Sequence, residues 1–151
     1  MEHTLRELQL CELEIVRDVV KVCQKHGLQL YMMGGTFLGA VRHQGFIPWD
    51  DDVDLALSRE DYETFLQVAP EELKQGYGLR HFAKDPDMPY YPAQVVDPSF
   101  EILDTSAQVE KTRCAWIDLF PLDGLPEGKI AFFLHKYRLL YLRLMLKYSQ
   151  F

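Results

Sequence analysis

Apolar residues recur at three- and four-residue steps through Leu5, Leu8, Cys11 (or Glu12), Ile15, Val19, Val22 and Cys23. That spacing predicts an amphipathic helix over residues near 4–26. Thr4 precedes it, with Glu7 three residues on, the pairing in which two side chains cap each other's backbone N–H groups. Gly27 follows His26 and suits a helix stop. His26 at that end complements the helix dipole as a surface group rather than serving as a ligand. Leu28–Met33 is a short apolar run between a glycine stop and a glycine pair, and reads as a buried strand. Gly34-Gly35-Thr36 then forms a tight strand-to-helix turn, and Thr36 to His43 a short helix. Gly45 to Trp49 is a loop whose direction Pro48 fixes. Trp49 is expected in the core, the alternative being a stack on a base or a cationic head group. Asp50–Leu57 reads as a second strand. Asp52 and Asp54 alternate there with apolar residues and so share one face.

Ser58 is placed to cap a following helix, with Asp61 at the capping-box position. Tyr62, Phe65, Leu66 and Ala69 form that helix's apolar side, and Pro70 is expected to end the stretch. Tyr77–Phe82 alternates as a strand, and the prolines of Lys84–Pro89 mark a loop. Tyr90–Asp97 reads as extended, with Pro92 at an edge or a strand start. Phe100–Leu103 and Lys111–Phe120 are expected to pair as further strands around a turn at Asp104-Thr105-Ser106. Gly128–Gln150 is a last helix with a broad apolar face: Ile130, Phe133, Leu134, Tyr137, Leu140, Tyr141, Leu144 and Met145. Lys129, His135, Lys136, Arg138, Arg143 and Lys147 make it basic. Closure of the core by its apolar side is the preferred reading. Peripheral contact with a membrane, or packing on a partner such as a second copy, is the alternative. The chain stops at Phe151 with the helix still apolar, which suggests a truncated chain or a partner helix. The whole predicts an α/β fold with a small mixed β-sheet and helices packed on it. Residues 1–125 form the core, and residues 126–151 the C-terminal amphipathic helix.

Composition narrows the function. The chain has 151 residues, enough for one domain with a real core. Its net charge of −7 argues against nucleic acid as a partner, since that footprint is basic. Cys11, Cys23 and Cys114 are odd in number and have no zinc-site spacing. They read as small core hydrophobes in a reducing, cytoplasmic compartment. The first residues are no signal peptide, and no window is apolar enough to span a bilayer.

Two stretches carry chemistry. Gly34 to Asp54 opens with two glycines and a threonine and closes with Asp50, Asp51, Asp52 and Asp54. Carboxylates crowded on one face of a half-buried strand need a counter-charge. Oxygen-only ligands suit Mg²⁺ or Mn²⁺. Backbone N–H groups at a helix start attract phosphate, and Gly34, Gly35 and Thr36 let it approach closely. Arg42 is a candidate bidentate grip on a phosphate, or a dipole partner at the helix end. The second stretch is Trp116 to Asp123, where Asp118 sits alone among apolar residues. A lone buried carboxylate needs a metal, an arginine or a hydrogen-bonded network. If its strand lies beside Val53–Leu57, Asp118 joins Asp52 and Asp54 to complete a metal cage. This is the logic of nucleotidyltransferase-type phosphoryl chemistry.

GGTFLGAVRHQGFIPWDDDVDLAL, followed by WIDLFPLDGLP, resembles the LicD family over roughly residues 5–125. That family has the nucleotidyltransferase fold and includes bacterial phosphocholine transferases; the fukutin-type ribitol-phosphate transferases are related. The resemblance implies a CDP-linked alcohol donor such as CDP-choline. It implies transfer of the phosphoalcohol to a sugar hydroxyl of a glycan, teichoic acid or lipopolysaccharide, with release of CMP. It places Gly34, Gly35 and Thr36 at the donor phosphates and matches Asp52 and Asp54 to the fold's metal-binding Asp-x-Asp. Asp118 matches the third carboxylate. The reaction would occur in the cytoplasm or at the inner membrane face. Transfer of a nucleotide from an NTP to a small hydroxylated substrate is the second reading, and a catalytically idle partner module of the same fold the third.

Overall fold

The computed structural model describes residues 4–85, 88, 92–104 and 111–149. Its elements are α1 (Leu5–His26), β1 (Leu30–Met32), α2 (Gly34–His43), β2 (Asp54–Ser58) and α3 (Arg59–Glu72). β3 (Gly78–Arg80), β4 (Ala93–Asp104), β5 (Lys111–Leu122) and α4 (Lys129–Ser149) follow. The five strands form one mixed sheet in the order β1-β2-β5-β4-β3. Only β2 and β5 run parallel; the other neighbours are antiparallel. The α/β fold predicted from sequence is therefore the one observed.

α1 begins as its sequence directs. The Thr4 hydroxyl accepts from the Glu7 N–H, and the Glu7 carboxylate accepts from the Thr4 N–H at 2.7 Å. Gly27 ends the helix in the left-handed conformation. Leu8, Ile15, Val19, Val22 and Cys23 of α1 meet Tyr62, Phe65 and Ala69 of α3 over Leu55, Leu57, Val95, Ala115, Ile117 and Leu119 of the sheet. On β5 the alternation is strict. Ala115, Ile117 and Leu119 are buried in this core, whereas Trp116, Asp118 and Phe120 are half-buried on the opposite face.

Several expectations need correction. The run from Leu28 is an edge strand rather than a buried one. β1 has a single neighbour, and Tyr31 and Met32 are about half exposed. β2 begins at Asp54, so Asp50–Asp52 form the loop that leads into it. α3 continues through Pro70 to Glu72. Proline there removes one hydrogen bond in the last turn and leaves the earlier turns intact. Residues 93–104 form one long strand with a register shift between Asp97 and Glu101, instead of two. That strand pairs with β5 as expected. Pro86, Asp87 and Pro89 of the expected loop, Tyr90 and Tyr91, and Thr105 and Ser106 of the expected turn lie outside the described residues. α4 does not close the core. Its apolar residues from Ile130 to Leu146 are exposed, and among the described residues it packs on no other element beyond marginal touches. Among the described residues no helix is long and apolar enough to cross a membrane.

Candidate active site

The parallel pairing of β2 with β5 builds the site. It sets Asp54 directly beside Asp118, and Gln94 of β4 stands opposite Asp118 on the other side. Neighbouring residues in register point to the same face of a sheet. Asp54 and Asp118 therefore share the face away from the α1–α3 core. The ladder extends one residue earlier, where the Asp118 N–H donates to the Val53 carbonyl at 2.8 Å. Val53 itself is buried and anchors the acidic loop.

The start of α2 closes over this pair. The Asp54 N–H donates to the Thr36 hydroxyl at 2.8 Å, and the Met33 N–H donates to the Asp54 carbonyl at 3.0 Å. Gly34 has φ +49°, a left-handed conformation that suits glycine. A Cβ at Gly34 would lie 2.9 Å from Asp54 Oδ2, and one at Gly35 would lie 2.6 Å from Asp50 Oδ2. The two glycines thus make room for carboxylates at the helix N-terminus. Carboxylates already face the start of α2, and they would repel a further anion there unless a cation stood between them.

Electrostatics agree. Burial raises the Asp52 pKa, and Asp54, Asp50 and Asp51 raise it further. Asp54 is raised by burial, then by Asp118 and Asp50. Asp118 is raised chiefly by burial, while hydrogen bonds from Gln94 (2.9 Å) and the Trp116 side chain pull it back. Among the described residues, no lysine or arginine forms an ion pair with any of these aspartates. The arginine partner considered for Asp118 is absent there, and a neutral amide and an indole take its place.

The donor set fits a hard divalent cation: carboxylate oxygens only, mutually repelling, with no ion-paired lysine or arginine among the described residues to balance them. As the side chains stand, however, no three His, Cys, Asp or Glu groups among the described residues converge closely enough to enclose an ion. Binding one therefore requires these carboxylates to reorient.

The other expected residues divide. Gly34, Gly35 and Thr36 stand at the site. Arg42 is exposed in the last turn of α2, eight residues beyond Gly34 and so about 12 Å along the helix axis. Trp49 is 76% exposed rather than buried, with its ring edge-on to His43 at 6.2 Å between centroids. Asp123, which closes the second stretch and was not a site candidate, is held elsewhere. Arg59 grips it with two hydrogen bonds of 2.8 and 2.7 Å.

Three residues were not foreseen. Gln9 of α1 is buried and donates to the carbonyls of Asp50 (2.9 Å) and Ile47 (3.3 Å), which pins the acidic loop. Gln94 supports Asp118. Glu12 is fully buried, and among the described residues neither of its oxygens has a hydrogen-bond partner. Burial and the charges of Asp52, Asp51, Asp50 and Asp118 push its pKa up to about 9. The signal for Glu12 was its position within the α1 apolar stripe, between Leu8 and Ile15, where the spacing allowed it in place of Cys11.

Comparison with known proteins agrees with this geometry. The family profile described as "LicD/FKTN/FKRP, nucleotidyltransferase domain" matches residues 27–125. The lipopolysaccharide cholinephosphotransferase LicD of Haemophilus influenzae is 35% identical over 138 residues, covering 88% of this chain and 50% of that protein. The human ribitol 5-phosphate transferase FKRP is 48% identical over 48 residues, 32% of this chain and 10% of its own. An uncharacterized protein of Rickettsia typhi is 38% identical over 68 residues, 45% of this chain and 22% of its own. The chain thus spans at most about half the length of these relatives. The matched region holds the glycine turn, the acidic loop, β2 and Asp118, and with it the chain belongs to the LicD family.

Proposed function

We propose that this chain carries the site for metal-dependent transfer of a phosphoalcohol, phosphocholine or a similar group, from a CDP-linked donor to a sugar hydroxyl of a glycan. The observation that carries the reading is the Asp54–Asp118 register pair beside Asp52, with no ion-paired lysine or arginine among the described residues to neutralise it. Relatives named for cholinephosphate and ribitol 5-phosphate transfer support the same class of reaction.

Asp52, Asp54 and Asp118 would hold Mg²⁺ or Mn²⁺. The ion supplies charge neutralisation for the donor phosphates and a template for in-line attack. The chain does the rest. Gly34 and Gly35 keep the start of α2 clear of side chains. Thr36 fixes the Asp54 backbone, and Gln94 and Trp116 orient Asp118. Arg42 takes a phosphate oxygen farther along α2. Exposed Trp49 offers a face to the donor's base or cationic head group. A carboxylate not committed to the ion accepts the proton of the attacking hydroxyl. A cytoplasmic setting, at the inner membrane face where the acceptor is lipid-linked, fits the free state of Cys11, Cys23 and Cys114.

The test is to follow a donor labelled separately at its two phosphorus atoms. Arrival of the alcohol-side phosphorus on the glycan supports the proposal. Transfer of the nucleotide-side phosphorus, or use of CTP or ATP instead, would replace it with nucleotidyl transfer.

A further inference from the structure

We infer that Glu12 belongs to the same cation site as Asp52, Asp54 and Asp118, as a buried positioning carboxylate on the core side of the acidic loop; this rests on the metal-dependent reading above. Glu12 has no exposed surface, and among the described residues neither of its oxygens has a hydrogen-bond partner. Its neighbours on the same helix face, Leu8 and Ile15, are core residues. An apolar side chain at position 12 would continue that stripe without leaving a buried polar atom unmet.

Its surroundings make a structural role for the carboxylate harder still. One turn earlier, Gln9 bonds the Asp50 carbonyl and holds the acidic loop against α1. α1 also packs on β5, the strand that carries Asp118. Glu12 therefore lies where helix, loop and strand meet. The charges that act on it most are Asp52, Asp51, Asp50 and Asp118, in that order, and all are negative. A fifth carboxyl in such company stays in the core either by keeping its proton or beside a cation shared by the group, and the second is the state inferred for the ion-bound chain.

The experiment measures Mn²⁺ affinity by calorimetry, without donor, for the wild type, Glu12→Gln and Glu12→Met, with circular dichroism to establish that each is folded. The expected result is at least tenfold weaker Mn²⁺ binding in both variants. Folded variants that bind Mn²⁺ as the wild type does would overturn the inference and leave the metal-dependent reading standing. Absence of Mn²⁺ binding by the wild type itself would overturn both. A second measurement needs no substitution in the titrated protein: carboxyl ¹³C shifts of glutamate-labelled wild type during Mg²⁺ addition. The Glu12 resonance should move in step with saturation. A resonance that stays fixed while Mg²⁺ binds contradicts the assignment.

Discussion

Asp52 and Asp54 illustrate how much a single position depends on its neighbours. Each is raised in pKa by burial and by other carboxylates. Asp52→Asn or Asp54→Asn should therefore raise the stability of the ion-free chain slightly while lowering transfer by about 10²–10³-fold or more. Thermal melts and a transfer assay on the same preparations check both halves; near-wild-type transfer in either variant would remove the metal assignment. Glu12 gives a sharper signature. Its pKa is about 9 in the folded chain against 4.5 for an ordinary glutamate. The folded state thus holds a proton that the unfolded state has lost, and stability falls as pH rises through that window. The contribution is fully favourable below about pH 4.5 and declines by about 1.4 kcal/mol per pH unit towards pH 9. Glu12→Leu should cancel that slope. Chemical denaturation of both proteins at pH 5 and pH 8 measures it, and equal slopes would contradict the burial argument. Arg42→Ala is expected to raise the donor KM by about tenfold with kcat less affected, as loss of a charge-assisted phosphate contact does. An unchanged KM would return Arg42 to its place as a dipole partner at the end of α2.

At the scale of elements, local signals were legible where a side chain acts on its own backbone. The Thr4–Glu7 reciprocal cap, the Gly27 stop and the Ser58 cap of α3, which accepts from the Asp61 N–H at 3.2 Å, all follow from short motifs. Thr4→Ala should accordingly cost about 1 kcal/mol of stability, read as a lower melting temperature; no change would mean that α1 is held by packing alone. Strand limits were less legible because pairing decides them. Asp50–Asp52 look like strand by alternation, yet the β2 ladder to β5 starts in earnest at Asp54. The register shift that joins residues 93–104 into one strand has no counterpart in periodicity. The site was partly legible for the same reason. Asp52, Asp54 and Asp118 could be named from charge in an apolar run, and the conditional pairing of their strands is the one found. Gln9, Glu12 and Gln94 act across distances in sequence that no local pattern reports.

At the scale of the whole molecule, the acidic site and the basic helix are set apart. α4 contains no acidic residue and exposes Phe133, Tyr137, Leu140 and Tyr141. Its apolar face was expected to complete the core, but α1 and α3 already cover the sheet's inner face. Phe37, Leu38 and Val41 of α2 are exposed as well. Family membership follows from the match over residues 27–125, whereas the proposed reaction rests on the carboxylates of this chain. The most direct test is calorimetric titration of the chain with CDP-choline, CDP-ribitol and CDP-glycerol, each with and without Mn²⁺. The account predicts that one CDP-alcohol binds, and only when Mn²⁺ is present, because a diphosphate cannot approach Asp50 and Asp54 at the start of α2 without an intervening cation. Donor binding of equal strength with and without Mn²⁺, or no binding by the folded chain, would contradict it.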